Sequence, residues 1–287
     1  MAQIQWFPGH MAKARREVEV KLPLVDIVYE LLDARIPRSS ANPVLGEIIG
    51  KKPRLILLNK ADLADPRELD RWLSFYRGQG LSAIAINSLS GDSYKKVLPE
   101  TDRLLAELSA KEAAKGMKAR PFRAMVLGIP NVGKSAFINR LAGRNVAQVG
   151  DKPGITKIQQ YIRVGDRLEL MDNPGILWPK FKDREVGLRL SLLGAIKDEI
   201  LPLDDVVGYG IRFLAREYPG VLEARYGIPS VDLADLLGTY DAIGESRGCL
   251  LPGRQIDYDR VFHLFLDDLR HQKLGAVCLE KVDTRHV

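Results

Sequence analysis

The sequence predicts an α/β domain with a mostly parallel sheet over residues 1–179, followed by a small all-helical domain over residues 180–287. Three observations lead there. Short runs rich in Val, Ile and Leu, each stopped by turn or polar residues, alternate with helix-like stretches from about residue 24 to residue 176, the rhythm of repeated βα units. Those runs are continuously apolar rather than alternating, as strands covered on both faces should be. After about Pro179 the pattern changes to long helical stretches broken by Pro and Gly.

In chain order the expected strands are Val25–Leu32, Arg54–Leu58, Ala83–Ile86, Arg123–Leu127, Gln159–Val164 and Leu168–Met171. Between the third and fourth, Tyr94–Lys118 reads as a helix and a Lys/Ala-rich connector. Leu98, Leu104, Leu105 and Leu108 form its apolar stripe, and Pro121 ends it. In the second domain, helices are expected over Asp183–Ile200, Asp204–Glu217, Val231–Leu237 and Asp257–Lys273, with Ser230 and Asp257 capping the last two. Val261, Phe262, Phe265, Leu266 and Leu269 have the spacing of a buried helical stripe.

The formal charge of +6 is unevenly spread. Residues 1–179 hold 28 Lys and Arg against 19 Asp and Glu; residues 180–287 hold 15 against 18. A basic first part suits contact with a phosphate backbone, because neutralising phosphates releases condensed counterions. No uncharged apolar run is long enough to span a membrane, and the N-terminus lacks the apolar stretch of a secretory signal. Cys249 and Cys278 form no metal-binding spacing and read as small buried hydrophobes. The expectation is a cytoplasmic protein with no membrane partner.

The sharpest local signal is Gly128-Ile-Pro-Asn-Val-Gly133-Lys134-Ser135, set between the apolar run Ala124–Leu127 and the helix-like Ala136–Ala142. Glycines let the backbone wrap around phosphates, and a helix N-terminus adds a favourable dipole for anions. In this phosphate loop, Asn131, Val132, Gly133, Lys134, Ser135 and Ala136 are the expected nucleotide contacts. Lys134 would reach the β- and γ-phosphates, and Ser135 would bind Mg²⁺.

The base is specified by Asn59-Lys60-Ala61-Asp62, at the end of the strand Arg54–Leu58. A carboxylate at Asp62 accepts from both the N1–H and the 2-amino group of guanine, a donor pair that adenine lacks. Leaving such an acceptor unmatched discriminates strongly against the wrong base. Asn59 would donate to the base or brace the phosphate loop, Lys60 belongs to the same motif, and Ser88 at another strand end would support the base. A third motif is Asp172-Asn173-Pro174-Gly175. Asp172 would hold Mg²⁺ through water, and the Gly175 N–H would meet the γ-phosphate and leave with it. Thr156, in the loop Gly150–Thr156 ahead of it, would complete the Mg²⁺ shell.

Ordinary G domains present these motifs as phosphate loop, threonine switch, D-x-x-G, N-K-x-D and then the serine element; here the last two come first. The expected fold is therefore a P-loop G domain that is circularly permuted. All the motifs lie on loops at strand carboxyl ends, so they assemble on one face whatever the chain order. The Asp172–Gly175 switch then runs directly into the helical domain, so nucleotide state is expected to reposition residues 180–287.

In this motif order the sequence resembles the circularly permuted GTPases of the YlqF/RbgA type, the ribosome biogenesis GTPase A family, over essentially its whole length. The resemblance extends to Gln5-Trp-Phe-Pro-Gly-His-Met-Ala-Lys-Ala14, to Asp33-Ala-Arg-Ile-Pro37 and to Asn42-Pro43. It implies a cytoplasmic GTPase that binds the large ribosomal subunit late in assembly, with the helical domain helping to contact ribosomal RNA. The sequence departs from the family at Asn173, where threonine is more usual, and at Asn87-Ser88, changes expected to tune nucleotide affinity.

The residue after D-x-P-G is Ile176, which cannot orient water as the glutamine of many GTPases does, so unassisted hydrolysis should be slow. His10 is the candidate base or water-positioning group. Asn131 resembles the asparagine of GTPases that bind K⁺ beside the phosphates. Lys13, Arg15 and Arg16, and a local patch among the helical domain's arginines, are the candidate RNA contacts. Two readings follow: a ribosome-stimulated GTPase, and a guanine-nucleotide-dependent RNA- or ribosome-binding placeholder whose hydrolysis is incidental. The oligomeric default is a monomer.

Overall fold

The computed structural model describes residues 8–90, 94–144, 161–172 and 183–282. The side chains of residues 8–14, 44, 94 and 172 lie outside the description as well. Two compact units divide the chain: Met1–Phe181 with Glu280–Val287, and Lys182–Leu279.

The first unit is built on strands β1 (Ile27–Asp33), β2 (Arg54–Asn59), β3 (Ser82–Ala85), β4 (Phe122–Gly128), β5 (Tyr161–Val164) and β6 (Leu168–Asp172). They form one sheet in the order β3-β2-β1-β4-β6-β5, parallel throughout except for the β5–β6 pair. Every residue of β1 is buried and all but the first of β2, which explains their unbroken apolar runs. Each fully buried Leu or Ile here contributes roughly 1.5–3 kcal/mol. The register aligns Asp33 with Asn59 and Leu31 with Gly128, so three central strands end at one edge. Their following loops leave side by side.

Helices α1 (Pro8–Lys21), α2 (Pro37–Ser40), α3 (Pro43–Ile49), α4 (Pro66–Gly78), α5 (Tyr94–Leu104), α6 (Ala106–Ala114) and α7 (Lys134–Ala142) complete this unit among its described residues. Val18 of α1 and Leu45 and Ile49 of α3 share a core with Val28, Met125, Leu127 and Met171 of the sheet. Helix α4 starts at Pro66, with the Asp65 carboxylate accepting from the Arg67 N–H, a well-formed N-cap. The expected Tyr94–Lys118 helix is instead two helices, broken at Leu105, whose φ of −103° and ψ of 9° lie outside the helical range.

The unit closes with the far end of the chain. Glu280 is 4% exposed. Its carboxylate accepts from the Arg38 N–H at 2.8 Å, from the Ser39 N–H at 2.9 Å and from the Ser39 hydroxyl. Its own carbonyl accepts from the Trp72 indole at 3.2 Å.

The second unit holds α8 (Arg184–Leu192), α9 (Leu203–Glu217), α10 (Val221–Tyr226), α11 (Leu236–Arg247) and α12 (Tyr258–Arg270). Val261, Phe262, Phe265, Leu266 and Leu269 are all buried. A side chain at Gly210 would meet the Phe265 ring at 2.9 Å, so α9 and α12 approach too closely for one. Arg225 bridges to the fully buried Asp268 at 2.8 and 2.9 Å, and Asp257 caps α12 by accepting from the Arg260 N–H.

Three expectations here need correction. The helix expected over Asp183–Ile200 stops at Leu192; Gly194 takes φ 73° and Arg270 donates to the freed carbonyls of Ser191 and Leu192. The helix expected over Val231–Leu237 behind Ser230 begins only at Leu236. Asp232 accepts from the Ala234 N–H, a local turn that competes with a helix, and Asp235 caps the real start by accepting from the Gly238 N–H. Helix α10, bounded by the left-handed Gly220 and Gly227, was not expected.

Replacing Glu280 by alanine strands two buried N–H donors and a hydroxyl, and is expected to lower the unfolding free energy by about 2–4 kcal/mol. Urea titration followed by circular dichroism measures this. A loss under about 0.5 kcal/mol would mean that the Glu280 contacts contribute little net stability.

Candidate guanine-nucleotide site

The loops leaving β4, β2 and β3 converge at the carboxyl edge of the sheet, and Asn59 is where they are tied. Its amide Nδ2 donates to the Val132 carbonyl at 2.7 Å. Its Oδ1 accepts from the Ser88 N–H at 3.0 Å and from the Ser88 hydroxyl at 2.8 Å. Asn59 therefore braces the phosphate loop, and Ser88 supports Asn59. The Ala61 N–H also donates to the Ile86 carbonyl, joining the loops after β2 and β3.

The phosphate loop needs its glycines for space. A Cβ on Gly133, at φ 99°, would lie 2.3 Å from Asn59 Nδ2, and one on Gly128 would lie 2.7 Å from the Leu31 carbonyl oxygen. Asn131 takes φ 58°, so the loop turns through a left-handed residue before α7 begins at Lys134. The first N–H groups of a helix have no partner within it, which suits this end to an anion. Lys134 is 7% exposed, its ammonium donating to the carbonyls of Gly128 at 3.2 Å and Ile129 at 2.9 Å. Val132 is buried, while Ser135 and Ala136 are half-buried in the first turn of α7.

Lys60, at φ 59°, reaches across to the same loop, where its ammonium donates to the Asn131 carbonyl at 2.8 Å. It also pairs with the Asp33 carboxylate at 3.2 Å. Burial alone would raise the Asp33 carboxyl, but the charges of Arg35 and Lys60 outweigh it and hold the group well below the usual carboxylate range. Asp62 follows in the short turn Ala61–Leu63 with its side chain exposed, open to a base.

The structure thus gathers Asn59, Lys60, Asp62, Ser88, Asn131, Val132, Gly133, Lys134, Ser135 and Ala136 at one edge. Asp172 ends β6 at the same edge, in register with Val126, though its side chain is outside the description. His10 lies in α1 with its side chain likewise outside; Thr156 and Gly175 are outside altogether. Motif reading assigned no role to Asp33 and Arg35, which it quoted only as part of a resemblance. Their position beside Asn59 depends on strand register, which a single sequence does not display.

A phosphate loop braced by an N-K-x-D asparagine on a parallel sheet defines a guanine-nucleotide-binding GTPase domain. Residues 123–245 match the family described as 50S ribosome-binding GTPase; the guanine motif at Asn59–Asp62 precedes that match, as circular permutation requires. The chain is 51% identical to ribosome biogenesis GTPase A of Bacillus pumilus, over 98% of this chain and 99% of that protein. It is 53% identical to ribosome biogenesis GTPase A of Priestia megaterium, over 95% of each. Its fold matches the crystal structure of GNP-bound YlqF from T. maritima with a TM-score of 0.66 and 27% identity, covering 94% of this chain and 98% of that one. The chain belongs to the ribosome biogenesis GTPase A family.

Gly133→Ala places a methyl group into the Asn59 amide and is expected to weaken GDP binding by on the order of 100-fold, as measured by calorimetry. Affinity within about threefold of wild type would show that the loop relaxes around the clash.

Proposed function

We propose that this GTPase hydrolyses GTP to GDP and phosphate as a switch in late assembly of the large ribosomal subunit. The observation that carries the nucleotide reading is the Asn59 amide, which ties the guanine motif to the phosphate loop. The subunit is named from the relatives, whose own names specify ribosome biogenesis. Among the described residues no helix is long and apolar enough to cross a membrane, and the reading places the protein in the cytoplasm as a monomer away from the subunit.

In the reaction, water attacks the γ-phosphorus and the bond from that phosphorus to the β–γ bridging oxygen breaks, releasing GDP and phosphate. Lys134 sits in a loop with little water around it, where its charge acts strongly on the β- and γ-oxygens. Asp62 reads the base. The Gly175 N–H would bind the γ-phosphate. The site suits Mg²⁺: Ser135 sets a neutral oxygen donor directly after Lys134, and Thr156 and Asp172 would supply the rest of the shell. When bound, the ion neutralises charge on the nucleotide's phosphate oxygens. Asn131 would hold K⁺, and His10 would position the water that Ile176 cannot.

Contact with ribosomal RNA is supported by a cleft of about 250 Å³ in the helical unit, lined by Arg189, Arg212, Arg216, Tyr209 and Phe213 together with two glutamates. The Tyr209 and Phe213 rings lie 6.3 Å apart and the Arg189 guanidinium covers Tyr209. Aromatic faces among arginines suit unstacked bases and their phosphates. The placeholder reading draws on Ile176, since a site without a water-orienting side chain binds more readily than it turns over.

Turnover of GTP is expected to rise strongly with purified large subunits, to need K⁺ rather than Na⁺, and to fall about 10²–10³-fold in Lys134→Ala. Tight GTP binding with no stimulation in either salt would favour the placeholder. The Arg212→Glu, Arg216→Glu double variant is expected to weaken co-sedimentation with the subunit by about tenfold while GDP affinity stays unchanged. Undiminished co-sedimentation would remove this cleft from the RNA surface.

A further inference from the structure

We infer that Asp33 is a positioning residue for guanine-nucleotide binding, acting through Lys60 on the phosphate loop; this rests on the nucleotide reading above. Among the described residues of the first unit, two residues other than glycine take positive φ: Lys60 at 59° and Asn131 at 58°. Both conformations are disfavoured for residues with a Cβ and persist only where the surroundings enforce them. The two residues lie 71 positions apart, and one hydrogen bond joins them, from the Lys60 ammonium to the Asn131 carbonyl. The ammonium cannot hold that place by itself, being on a flexible four-carbon stem whose side chain is 25% exposed. Asp33 is what holds it.

The Asp33 carboxylate is fixed on every side. Its Oδ1 accepts from the Arg35 N–H at 3.1 Å and from Arg35 Nε at 2.9 Å. Its Oδ2 accepts from the second arm of the Arg35 guanidinium at 2.8 Å, and the Lys60 ammonium lies 3.2 Å from that same oxygen. Its backbone N–H donates to the Ser40 hydroxyl, itself donating to the Ile36 carbonyl. Arg35 is 2% exposed, so the guanidinium cannot swing away to leave the carboxylate free. A rigid buried anion next to the Asn59 register position thus aims a flexible cation at the loop that would wrap the phosphates. Asp33 touches no nucleotide atom in this arrangement; its influence passes through Lys60 alone.

That dependence sets the test. A merely structural Asp33 would weaken GDP binding by the same factor whether or not residue 60 is lysine, whereas a positioning Asp33 has nothing to act through once Lys60 is gone. GDP affinity and melting temperature are measured for wild type, Asp33→Asn, Lys60→Met and the double variant. Asp33→Asn is expected to weaken GDP binding about tenfold in the wild-type background and less than about twofold in the Lys60→Met background. Because Asp33→Asn leaves Arg35 buried without its anion, Asp33→Glu runs the same cycle with the charge kept, and about threefold weakening, again confined to the Lys60 background, is expected. Equal weakening in both backgrounds, or melting shifts with GDP affinity unmoved, would overturn the proposal. A wild-type chain that bound no GDP would instead overturn the nucleotide reading on which it rests.

Discussion

The carboxamide of Asn59 joins three loops that the chain makes separately. With one donor and one acceptor it fastens the phosphate loop at Val132, 73 positions away, and the serine element at Ser88, 29 positions away. A buried amide satisfied at both ends fixes geometry as well as energy, because either bond lost leaves a polar atom stranded. The glycine at 133 belongs to the same constraint, since the amide occupies the space a side chain would need. Base reading and phosphate binding are therefore set by one side chain.

This explains why the order of the motifs along the chain is immaterial. The sheet brings the ends of β1, β2 and β4 to one edge by register, and the side-chain bonds complete the assembly from there. A permuted chain changes which loops are covalently continuous and leaves the hydrogen bonds between them alone. What it does alter is the continuation of the last strand: the chain runs from Asp172 toward α8 rather than into a further strand of the sheet.

Much of this was legible in the residues because each motif is local. Gly128–Ser135 needs only its own glycines, lysine and serine, and Asn59–Asp62 carries its donors and acceptors within four positions. Strand interiors were legible for the same reason, each being a continuous apolar run. Asp33 was not, since its charge partners stand at Arg35 and Lys60 and only the β1–β2 register brings the second within reach. Helix starts in the second unit misled where two capping residues compete: Ser230 has the right chemistry, yet Asp232 and Asp235 take up the backbone donors. The loop holding Thr156 and the turn holding Gly175 stay at the level of motif.

The return of the chain at Glu280 bears on how this protein is made. Its carboxylate serves the turn at Arg38–Ser39, 241 positions earlier, and the indole of Trp72 waits on its carbonyl. At about 5–20 residues per second, synthesis of that interval takes on the order of tens of seconds. During that time the sheet edge nearest the guanine motif exists without the anion that caps α2, while the intervening helical unit has already emerged. The nucleotide-bearing unit is thus begun first and finished last, and its completion reports that the whole polypeptide has left the machine that made it.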